Sequence, residues 1–322
     1  MSILVTGSAG FIGYHVCKKL LEAGHFVVGV DNLNDYYDPG LKLRRHNLLS
    51  GSESFIPVTG DICDSDFLRV QFDTFRPETV IHLAAQAGVR HSLVDPGSYI
   101  QSNLVGTFNV FESCVKHQVR KLLYASSSSV YGKCYPPFHE EMDASLPTNL
   151  YAATKKSVEL MAESYGEMHG LHSIGMRFFT VYGPWGRPDM ALFKFTEAMR
   201  NRTPIQLYNH GKHSRSFTYV TDVADAIEVL LYHFDRLTSR ERHNVFNIGN
   251  PDQTSLEEYV RILAREMGET PIIEHLPLQK GDIVDAQADI TKIESNTGWS
   301  PIVSVEQGIK RFVNWHRGYY GW

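Results

Sequence analysis

Residues 2–31, SILVTGSAGFIGYHVCKKLLEAGHFVVGVD, decide the fold of this protein. The first run of the stretch, ILVTG, is apolar and contains β-branched residues, which favours a strand. Apolar residues then recur at helical spacing up to Leu21, and a second strand-like run, FVVGV, ends before Asp31. A strand, a helix and a strand within about 30 residues predict a βαβ unit.

Three glycines, at positions 7, 10 and 13, lie between the first strand and the helix of this unit. Without a Cβ the backbone can pass close to a diphosphate, and the helix start offers N–H groups and a positive dipole end to an anion. Asp31 follows Gly13 by 18 residues, where a carboxylate can accept both ribose hydroxyls and would repel a 2′-phosphate. The GxxGxxG pattern therefore predicts a dinucleotide site that prefers NAD to NADP. The alternative is a tight strand-to-helix turn with a helix-capping aspartate.

A second acidic residue, Asp61, follows the next strand-like run. Its carboxylate could hold the adenine edge of the same ligand or cap the helix that follows it, and the sequence leaves both possibilities open. The candidate cofactor-binding residues of the first 62 positions are Gly7, Gly10, Phe11, Ile12, Gly13, Asp31, Asn32, Asp61 and Ile62.

Apolar strand-like runs at 55–58, 80–84, 122–126 and 174–179 alternate with helix-length stretches such as 99–119 and 151–169. This alternation is typical of an α/β protein with a Rossmann-type, doubly wound parallel sheet. After Thr180 the glycines and prolines of VYGPWGRPDM break the pattern, and the later elements are shorter. We therefore predict a smaller, interleaved C-terminal substrate-binding lobe. The expected division is 1–181 with 216–249 for the dinucleotide domain and 182–215 with 250–322 for the lobe.

Composition excludes several classes of function. The 322 residues are 43% hydrophobic and 21% charged, with a formal net charge of −5, so a disordered chain and a nucleic-acid-binding protein are both disfavoured. The four cysteines form no CxxC pair, which predicts neither a zinc site nor a disulfide framework, and no metal is expected. An N-terminal targeting signal and an apolar run long enough for a membrane span are not recognisable. We expect a cytoplasmic protein with no membrane partner.

Tyr151 and Lys155 lie four positions apart in a helical pattern and so share one helix face. A lysine cation beside a phenol favours the phenolate, which would lower the tyrosine pKa towards that of a general base for an alcohol. The spacing alone is weak, since Tyr14 with Lys18 and Tyr208 with Lys212 share it, and an exposed amphipathic face explains most such pairs. The run of serines at 126–129 distinguishes Tyr151, because it ends an apolar strand where ligands of α/β sheets bind.

The motifs VTGSAGFIG, DNLNDYY, GDI, HLAAQAGVR, SSSSVYG, YAATK, RFFTVYGPWGRPDMA, FTYVTD and GDIVDAQAD follow in this order over nearly the whole chain. Together they resemble the extended short-chain dehydrogenase/reductase family, and within it the nucleotide-sugar epimerases and dehydratases. The resemblance implies NAD as cofactor and a UDP-sugar as substrate, bound by the C-terminal lobe. It also implies a homodimer formed through the helices at 99–119 and 151–169.

The resemblance assigns roles to individual residues. It makes Tyr151 the catalytic base and acid, Ser127 the catalytic hydroxyl, and Lys155 the residue that also holds the nicotinamide ribose. The family also lines its cofactor with the stretch that begins at His82 and with Asn103. The corresponding candidate residues in this chain are Leu83, Ala84, Ala85 and Asn103. The implied UDP-sugar contacts are Arg90, Ser128, Ser129, Thr180, Arg187, Arg215 and Asp282.

Departures from family patterns separate the branches. Dehydratases carry an acidic pair where this chain has Ser128 and Ser129, so dehydration is disfavoured. UDP-galactose 4-epimerases resemble RYFN where this chain has RFFT, and they carry an arginine where it has Gln279. Thr180 and Arg187 would suit a sugar carboxylate, although a surface ion pair is the alternative for Arg187.

The motifs DNLNDYYD, HLAAQAGVR and RFFTVYGPWGRPDMALFKF most resemble the UDP-glucuronate 4-epimerases. This resemblance implies transient oxidation at C4 of UDP-glucuronate, rotation of the 4-keto sugar, and return of the hydride to the other face, giving UDP-galacturonate. The alternatives are a UDP-glucuronate decarboxylase, a UDP-galactose 4-epimerase, and a catalytically silent NAD-binding regulator on the same fold.

Overall fold

A parallel sheet of seven strands forms the centre of the computed structural model, which describes residues 1–278 and 285–322. Its strands are β1 (Ser2–Thr6), β2 (Phe26–Asp31), β3 (Phe55–Thr59), β4 (Thr79–His82), β5 (Lys121–Ser127), β6 (Ser173–Phe178) and β11 (His243–Ile248). Their spatial order is β11-β6-β5-β4-β1-β2-β3. The order reverses between β1 and β4, and the carboxyl ends of these strands form the crevice in which such sheets bind ligands. The predicted Rossmann-type sheet is therefore confirmed.

Short strands in three smaller sheets build much of the second lobe. These strands are β7 (Thr180–Tyr182), β8 (Ile205–Leu207), β9 (Ser214–Arg215), β10 (Phe217–Tyr219), β12 (Thr254–Ser255), β13 (Ile273–His275) and β14 (Asp285–Ala286). β7 pairs with β10, β8 with β13, and β9 with both β12 and β14.

Helices cover both faces of the large sheet and the second lobe. They are α1 (Phe11–Glu22), α2 (Pro39–Leu49), α3 (Ser65–Phe75), α4 (Pro96–Tyr99), α5 (Thr107–Lys116), α6 (Leu150–His169), α7 (Ala191–Arg200), α8 (Val220–Tyr232), α9 (Phe234–Leu237), α10 (Leu256–Met267), α11 (Thr291–Thr297) and α12 (Val305–Tyr320). Within the residues that the structure describes, no helix is long and apolar enough to cross a membrane.

Two apolar cores sandwich the sheet. Side chains of α1 and α8, among them Val16 and Ile227, pack on one face. Side chains of α3, α5 and α6, among them Val110 and Val158, pack on the other face. Burial on both faces is the reason that the strands read as continuous apolar runs.

A third core holds the second lobe together, formed mainly by α7, α10 and α12. Phe217 and Tyr219 of β10 pack into this third core, whereas Val220 at the start of α8 packs into the sheet core. The chain therefore passes between the two cores within a few residues of position 216. The exact division of the chain into two domains stays a prediction.

The helix predicted at 99–119 is not uniform. It consists of α4, a π-helical stretch at Ile100–Gly106, and α5. Asn103, in the middle of the wide turns, points to the loop after β4, where its side chain accepts from the Gln86 N–H at 2.8 Å and donates to the Gln86 carbonyl at 3.0 Å. Such π-helical turns are frequent next to functional sites.

The helix that carries Tyr151 and Lys155 has clear boundaries. The Asn149 side chain caps the start of α6 by accepting from the Ala152 N–H at 2.9 Å, and Gly170 ends the helix in a left-handed conformation with φ of +69°. These local signals set where α6 begins and ends, and Tyr151 therefore lies in the first turn of the helix.

Candidate active site

A cavity of about 390 Å³ opens at the carboxyl ends of the central strands. Both lobes line it. The large sheet contributes the glycine turn, the ends of β2, β4 and β5, and the first turns of α6, and the second lobe contributes Arg187 and Met190. The lining includes the predicted residues Gly7, Gly10, Phe11, Ile12, Gly13, Asp31, Asn32, Asp61, Ile62, Leu83, Ala84, Ala85, Ser127, Ser128, Ser129, Tyr151, Lys155, Thr180 and Arg187.

The glycine turn needs its glycines for steric reasons. Gly7 adopts φ of +73°, and a Cβ there would lie 2.7 Å from the Ala84 nitrogen. A Cβ on Gly13 would overlap the carbonyl oxygen of Gly7. No side chain of the described ranges caps the start of α1 at Gly10, so the positive end of the helix faces the cavity. This cradle has the shape and polarity that a diphosphate requires.

The two predicted acidic residues stand at neighbouring strand ends. Asp31 is buried and holds its own turn, because its carboxylate accepts from the Ala9 N–H at 3.0 Å and the Leu33 N–H at 2.9 Å. A carboxylate has about four lone-pair positions, so Asp31 can still accept from a ligand. It remains a suitable partner for ribose hydroxyls at the cavity wall.

Asp61 does not cap the helix that follows it. Asp64 caps α3 instead, accepting from the Phe67 N–H at 2.9 Å. The Asp61 carboxylate accepts from the Cys63 N–H at 2.8 Å and from the Asn32 amide at 2.9 Å. Burial would raise the pKa of Asp61, but these hydrogen bonds lower it overall, so the carboxylate stays charged at the cavity edge.

Lys155 is 4% exposed, and its ammonium donates to the Ala125 carbonyl at the end of β5, at 2.9 Å. Burial lowers the pKa of Lys155 to about 8. Burial also raises the pKa of the Tyr151 phenol, while a hydrogen bond with Ser127 and the charge of Arg187 oppose the rise. The expectation that Lys155 lowers the pKa of Tyr151 is therefore wrong, because desolvation outweighs the effect of nearby charges.

The four serines divide into distinct roles. Ser126 is buried and donates to the Glu159 carboxylate at 2.6 Å, so it belongs to the support of the site. Ser127 is close enough to Tyr151 to oppose the rise of the phenol's pKa, and its hydroxyl accepts from the Ser129 N–H at 3.2 Å. Ser128 and Ser129 begin a short helical turn along the cavity wall.

Arg187 forms an ion pair at the cavity wall. Its Nε donates to Asp189 at 2.9 Å and its Nη2 donates to the second carboxylate oxygen at 2.5 Å. The Tyr36 hydroxyl donates to the same carboxylate at 3.1 Å. Arg187 thus takes part in an ion pair, which lies at the cavity wall and not on an outer surface, and its contact with a ligand stays a prediction. Arg187 retains further N–H groups for a ligand.

Two predicted substrate contacts, Arg90 and Arg215, are not among the described residues that line this cavity. Arg90 lies over the Tyr208 ring, 4.8 Å from its centre, and Arg215 lies on β9 with a hydrogen bond to the Ser214 carbonyl. Asp282 lies outside the described residues, as does Gln279. Asn103 stands behind the cavity wall and holds the Gln86 loop and Thr154.

Several residues that line the cavity were not predicted from the sequence. The segment after Asp31 contributes Tyr36, Tyr37 and Lys42, and the loop after β4 contributes residues 86–89. Lys42 is 5% exposed and donates to the Asn34 carbonyl at 2.7 Å, while burial lowers its pKa. The adjacent tyrosines of DNLNDYY were the available signal, since a tyrosine combines a large apolar ring with a hydroxyl that seeks a hydrogen-bond partner.

Comparison with known proteins relates the whole chain to one family. The model of the NAD dependent epimerase/dehydratase family matches residues 3–249. A probable UDP-glucuronate 4-epimerase of Rhizobium meliloti is 44% identical, over 98% of this chain and 97% of the relative. A UDP-glucuronate 4-epimerase of Thermodesulfobacterium geofontis is 41% identical, over 98% of this chain and 95% of the relative.

The crystal structure of a Bacillus cereus enzyme extends the similarity to three dimensions. It shows a UDP-glucuronic acid 4-epimerase in complex with UDP-glucuronic acid and NAD, and it aligns with a TM-score of 0.93 at 30% identity. The alignment covers 99% of this chain and 100% of that one, so the similarity extends over both lobes.

Proposed function

Because this chain belongs to the NAD-dependent epimerase/dehydratase family, we propose that it converts UDP-glucuronate to UDP-galacturonate by NAD-dependent 4-epimerisation. The observation that carries the proposal is full-length similarity, at 41–44% identity, to proteins named for this reaction, together with the Bacillus cereus fold. A cavity with an alcohol-handling tyrosine and an arginine on the opposite lobe supports it.

The residues at the glycine turn fit NAD. The cradle at Gly7, Gly10 and Gly13 leaves room for a backbone approach that a Cβ would block, and Asp31 stands where ribose hydroxyls need an acceptor. Asp61 and Asn32 form the adenine side of the proposed site. When bound, NAD supplies the hydride acceptor and donor for C4 of the sugar.

Tyr151 takes the proton of the C4 hydroxyl and later returns it, and Ser127 holds the same oxygen through its hydroxyl. The effect of Ser127 on the pKa of the Tyr151 phenol supports that division of roles. Lys155 is fixed by the Ala125 carbonyl and presents a buried cation to the ligand side of α6. Its role is to hold the ribose and to add positive charge near the phenol once the cofactor site is filled.

Thr180 and Arg187 hold the sugar carboxylate in the proposed complex. Asp189 already neutralises part of the Arg187 charge, so Arg187 contributes directed hydrogen bonds more than net attraction. Ser128 and Ser129 complete the sugar side. Arg90, Arg215 and Asp282 remain proposed contacts of the UDP portion.

A product assay tests this function. The purified protein is offered UDP-glucuronate, UDP-glucose and UDP-galactose, and products are identified by NMR while NADH absorbance is followed. UDP-galacturonate without net NADH supports the proposal. UDP-xylose or a keto-pentose indicates the decarboxylase, conversion of UDP-glucose alone indicates the galactose epimerase, and no turnover with NAD bound indicates a silent regulator.

Dimerisation and location are parts of the same proposal. The helices beside the active site carry exposed apolar side chains, with Phe108 46% exposed on α5 and Leu160 61% and Met168 72% exposed on α6. Two copies could cover these residues in a four-helix contact, which sedimentation would detect. The free cysteines fit the reducing cytoplasm.

A further inference from the structure

Arg45, on α2, is a fully buried cation outside the cavity. Its Nη1 donates to the Ala9 carbonyl and to the Tyr37 hydroxyl, each at 2.7 Å. Its Nη2 donates to the Trp185 carbonyl at 2.5 Å and to the Gly186 carbonyl at 3.3 Å. No carboxylate of residues 1–278 and 285–322 forms an ion pair with it. A buried guanidinium held only by neutral acceptors is costly, so its position calls for an explanation.

The partners of Arg45 join the two halves of the site. Ala9 lies in the glycine turn between Gly7 and Gly10, whereas Trp185 and Gly186 directly precede Arg187. One side chain therefore ties the diphosphate cradle to the backbone that carries the arginine proposed for the sugar carboxylate.

Residues 184–187, which we call the PWGR segment, are held in a strained conformation. Trp185 has φ of +61°, in the left-handed region that a residue with a side chain rarely adopts. The Trp185 ring packs against Tyr14 at 5.7 Å and Trp315 at 5.2 Å between ring centres. Strain of this kind persists only where surrounding contacts enforce it, and it concentrates at functional sites.

A second side chain of the large domain fixes the same segment. The His15 Nε2 lies 3.0 Å from the Pro184 carbonyl, which can only accept, so the imidazole donates. Burial lowers the pKa of His15 to about 4, which leaves the ring neutral at pH 7. His15 is on α1, directly after the glycine turn, so it repeats the connection that Arg45 makes.

We propose that Arg45 is a positioning residue for the sugar end of the site, which locks the PWGR segment to the glycine turn so that Arg187 is presented to the substrate carboxylate. This inference rests on the proposed function. Without the hydrogen bonds of Arg45 the PWGR segment can shift. A shift of about 1 Å is enough to weaken the directed hydrogen bonds from Arg187 to the substrate carboxylate. UDP lacks the sugar, so its affinity does not depend on Arg187.

Binding measurements test the positioning role of Arg45 without relying on turnover. In the Tyr151→Phe holoenzyme, calorimetry gives the Kd of UDP-glucuronate and of UDP. Adding Arg45→Lys should raise the ratio of the first Kd to the second about tenfold, because lysine cannot span three carbonyls and a phenol. The matched control is Arg44→Lys, the same change on the exposed face of α2, which should leave the ratio unchanged.

A second variant covers the case in which Arg45→Lys does not fold. His15→Phe keeps an aromatic ring but removes the bond to Pro184, and it should raise the same ratio severalfold. An unchanged ratio in the folded variants overturns the proposal, as does an equal weakening of both ligands, which would indicate a general structural role. If the parent protein does not bind UDP-glucuronate at all, the proposed function fails and the inference falls with it.

Discussion

Glu159 and Arg177 form a buried two-point ion pair between α6 and β6, with Nε and Nη2 of Arg177 each 2.8 Å from a different carboxylate oxygen. Both side chains are 3% exposed. Glu159 also accepts from Ser126, next to Ser127, and it lies one helical turn after Lys155. The pair therefore fixes the register between the helix that carries Tyr151 and Lys155 and the strand end that carries Ser127.

Breaking this pair should destabilise the protein strongly. We expect Glu159→Gln to lower the free energy of unfolding by about 3–5 kcal/mol, because the Arg177 charge stays buried without its carboxylate counter-charge. Urea denaturation measures the change. The matched control is Glu258→Gln, which breaks an exposed pair with Arg261 and should cost below about 1 kcal/mol. Equal losses in both variants would contradict the role given to the buried pair.

Removing the phenolic hydroxyl should abolish most turnover and leave cofactor retention intact. Tyr151→Phe is expected to lower kcat by about 10²–10⁴-fold, which is the usual contribution of a positioned general acid or base. NMR product assays and the NAD content of the purified protein give the two readouts. Tyr14→Phe is the control, since Tyr14 also precedes a lysine by four residues but keeps its ring packing without the hydroxyl. Near-normal turnover in Tyr151→Phe would favour the silent regulator or another base.

The glycine turn should tolerate no methyl group at position 13. Gly13→Ala brings a Cβ onto the Gly7 carbonyl, so we expect loss of bound NAD and destabilisation by about 1–3 kcal/mol. NAD content and thermal unfolding report both effects. Gly318→Ala, on α12, is the control, because a Cβ there meets no atom within 4 Å and alanine is the better helix former. If the Gly13→Ala protein retained its full NAD content, the close contact between positions 13 and 7 would not be the reason that a glycine is needed at position 13.

The arginine at the cavity wall should act on substrate binding. We expect Arg187→Gln to raise the KM for UDP-glucuronate by about 10- to 100-fold with a smaller change in kcat, since charge-assisted hydrogen bonds to a carboxylate are lost. Steady-state kinetics separates the two parameters. Arg261→Gln, an arginine 71% exposed on the surface, serves as the control. A large loss of kcat at unchanged KM would move Arg187 from binding to the chemical step.

Acid should destabilise the protein partly through His82. This residue lies 3% exposed between the hydroxyls of Thr6, at 2.7 Å, and Thr107, at 3.0 Å, and burial lowers its pKa to about 3. The unfolded chain binds a proton near the ordinary histidine pKa of about 6.5, so it binds more protons than the folded state between these values. Stability is therefore full above about pH 6.5 and falls by up to about 1.4 kcal/mol per pH unit below it.

Denaturation at a series of pH values between about 7 and 4 tests the role of His82. His82→Asn should lower the free energy of unfolding at pH 7. It should also reduce the slope of that free energy against pH by the contribution of about one proton. The exposed His169→Gln should leave the slope as it is. If His82→Asn has the wild-type slope, the acid sensitivity arises from other buried histidines such as His15, whose pKa burial lowers to about 4.

The candidate site divides into parts that the sequence predicted and parts that it did not. The glycine turn, Asp31 and the triad of Ser127, Tyr151 and Lys155 line one cavity, because each has a local signature next to a strand end. Asp189 and Tyr36 were missed, because the Asp189 pair with Arg187, two residues away, carries no recognisable motif, and Tyr36 reaches the Asp189 carboxylate across a long sequence separation. Arg90 and Arg215 were placed by motif, and neither is among the described residues that line the cavity.

The sequence by itself determined the βαβ start, the parallel sheet, the dinucleotide turn and the helix face shared by Tyr151 and Lys155. These features depend on periodicity, glycine geometry and capping, which act over a few residues. Only the tertiary structure decided that burial raises the pKa of Tyr151, that Tyr36 donates to the Asp189 carboxylate beside Arg187, and that Arg45 joins the glycine turn to the PWGR segment. Desolvation and these hydrogen bonds depend on which distant side chains surround a group, and neither has a signature in local sequence.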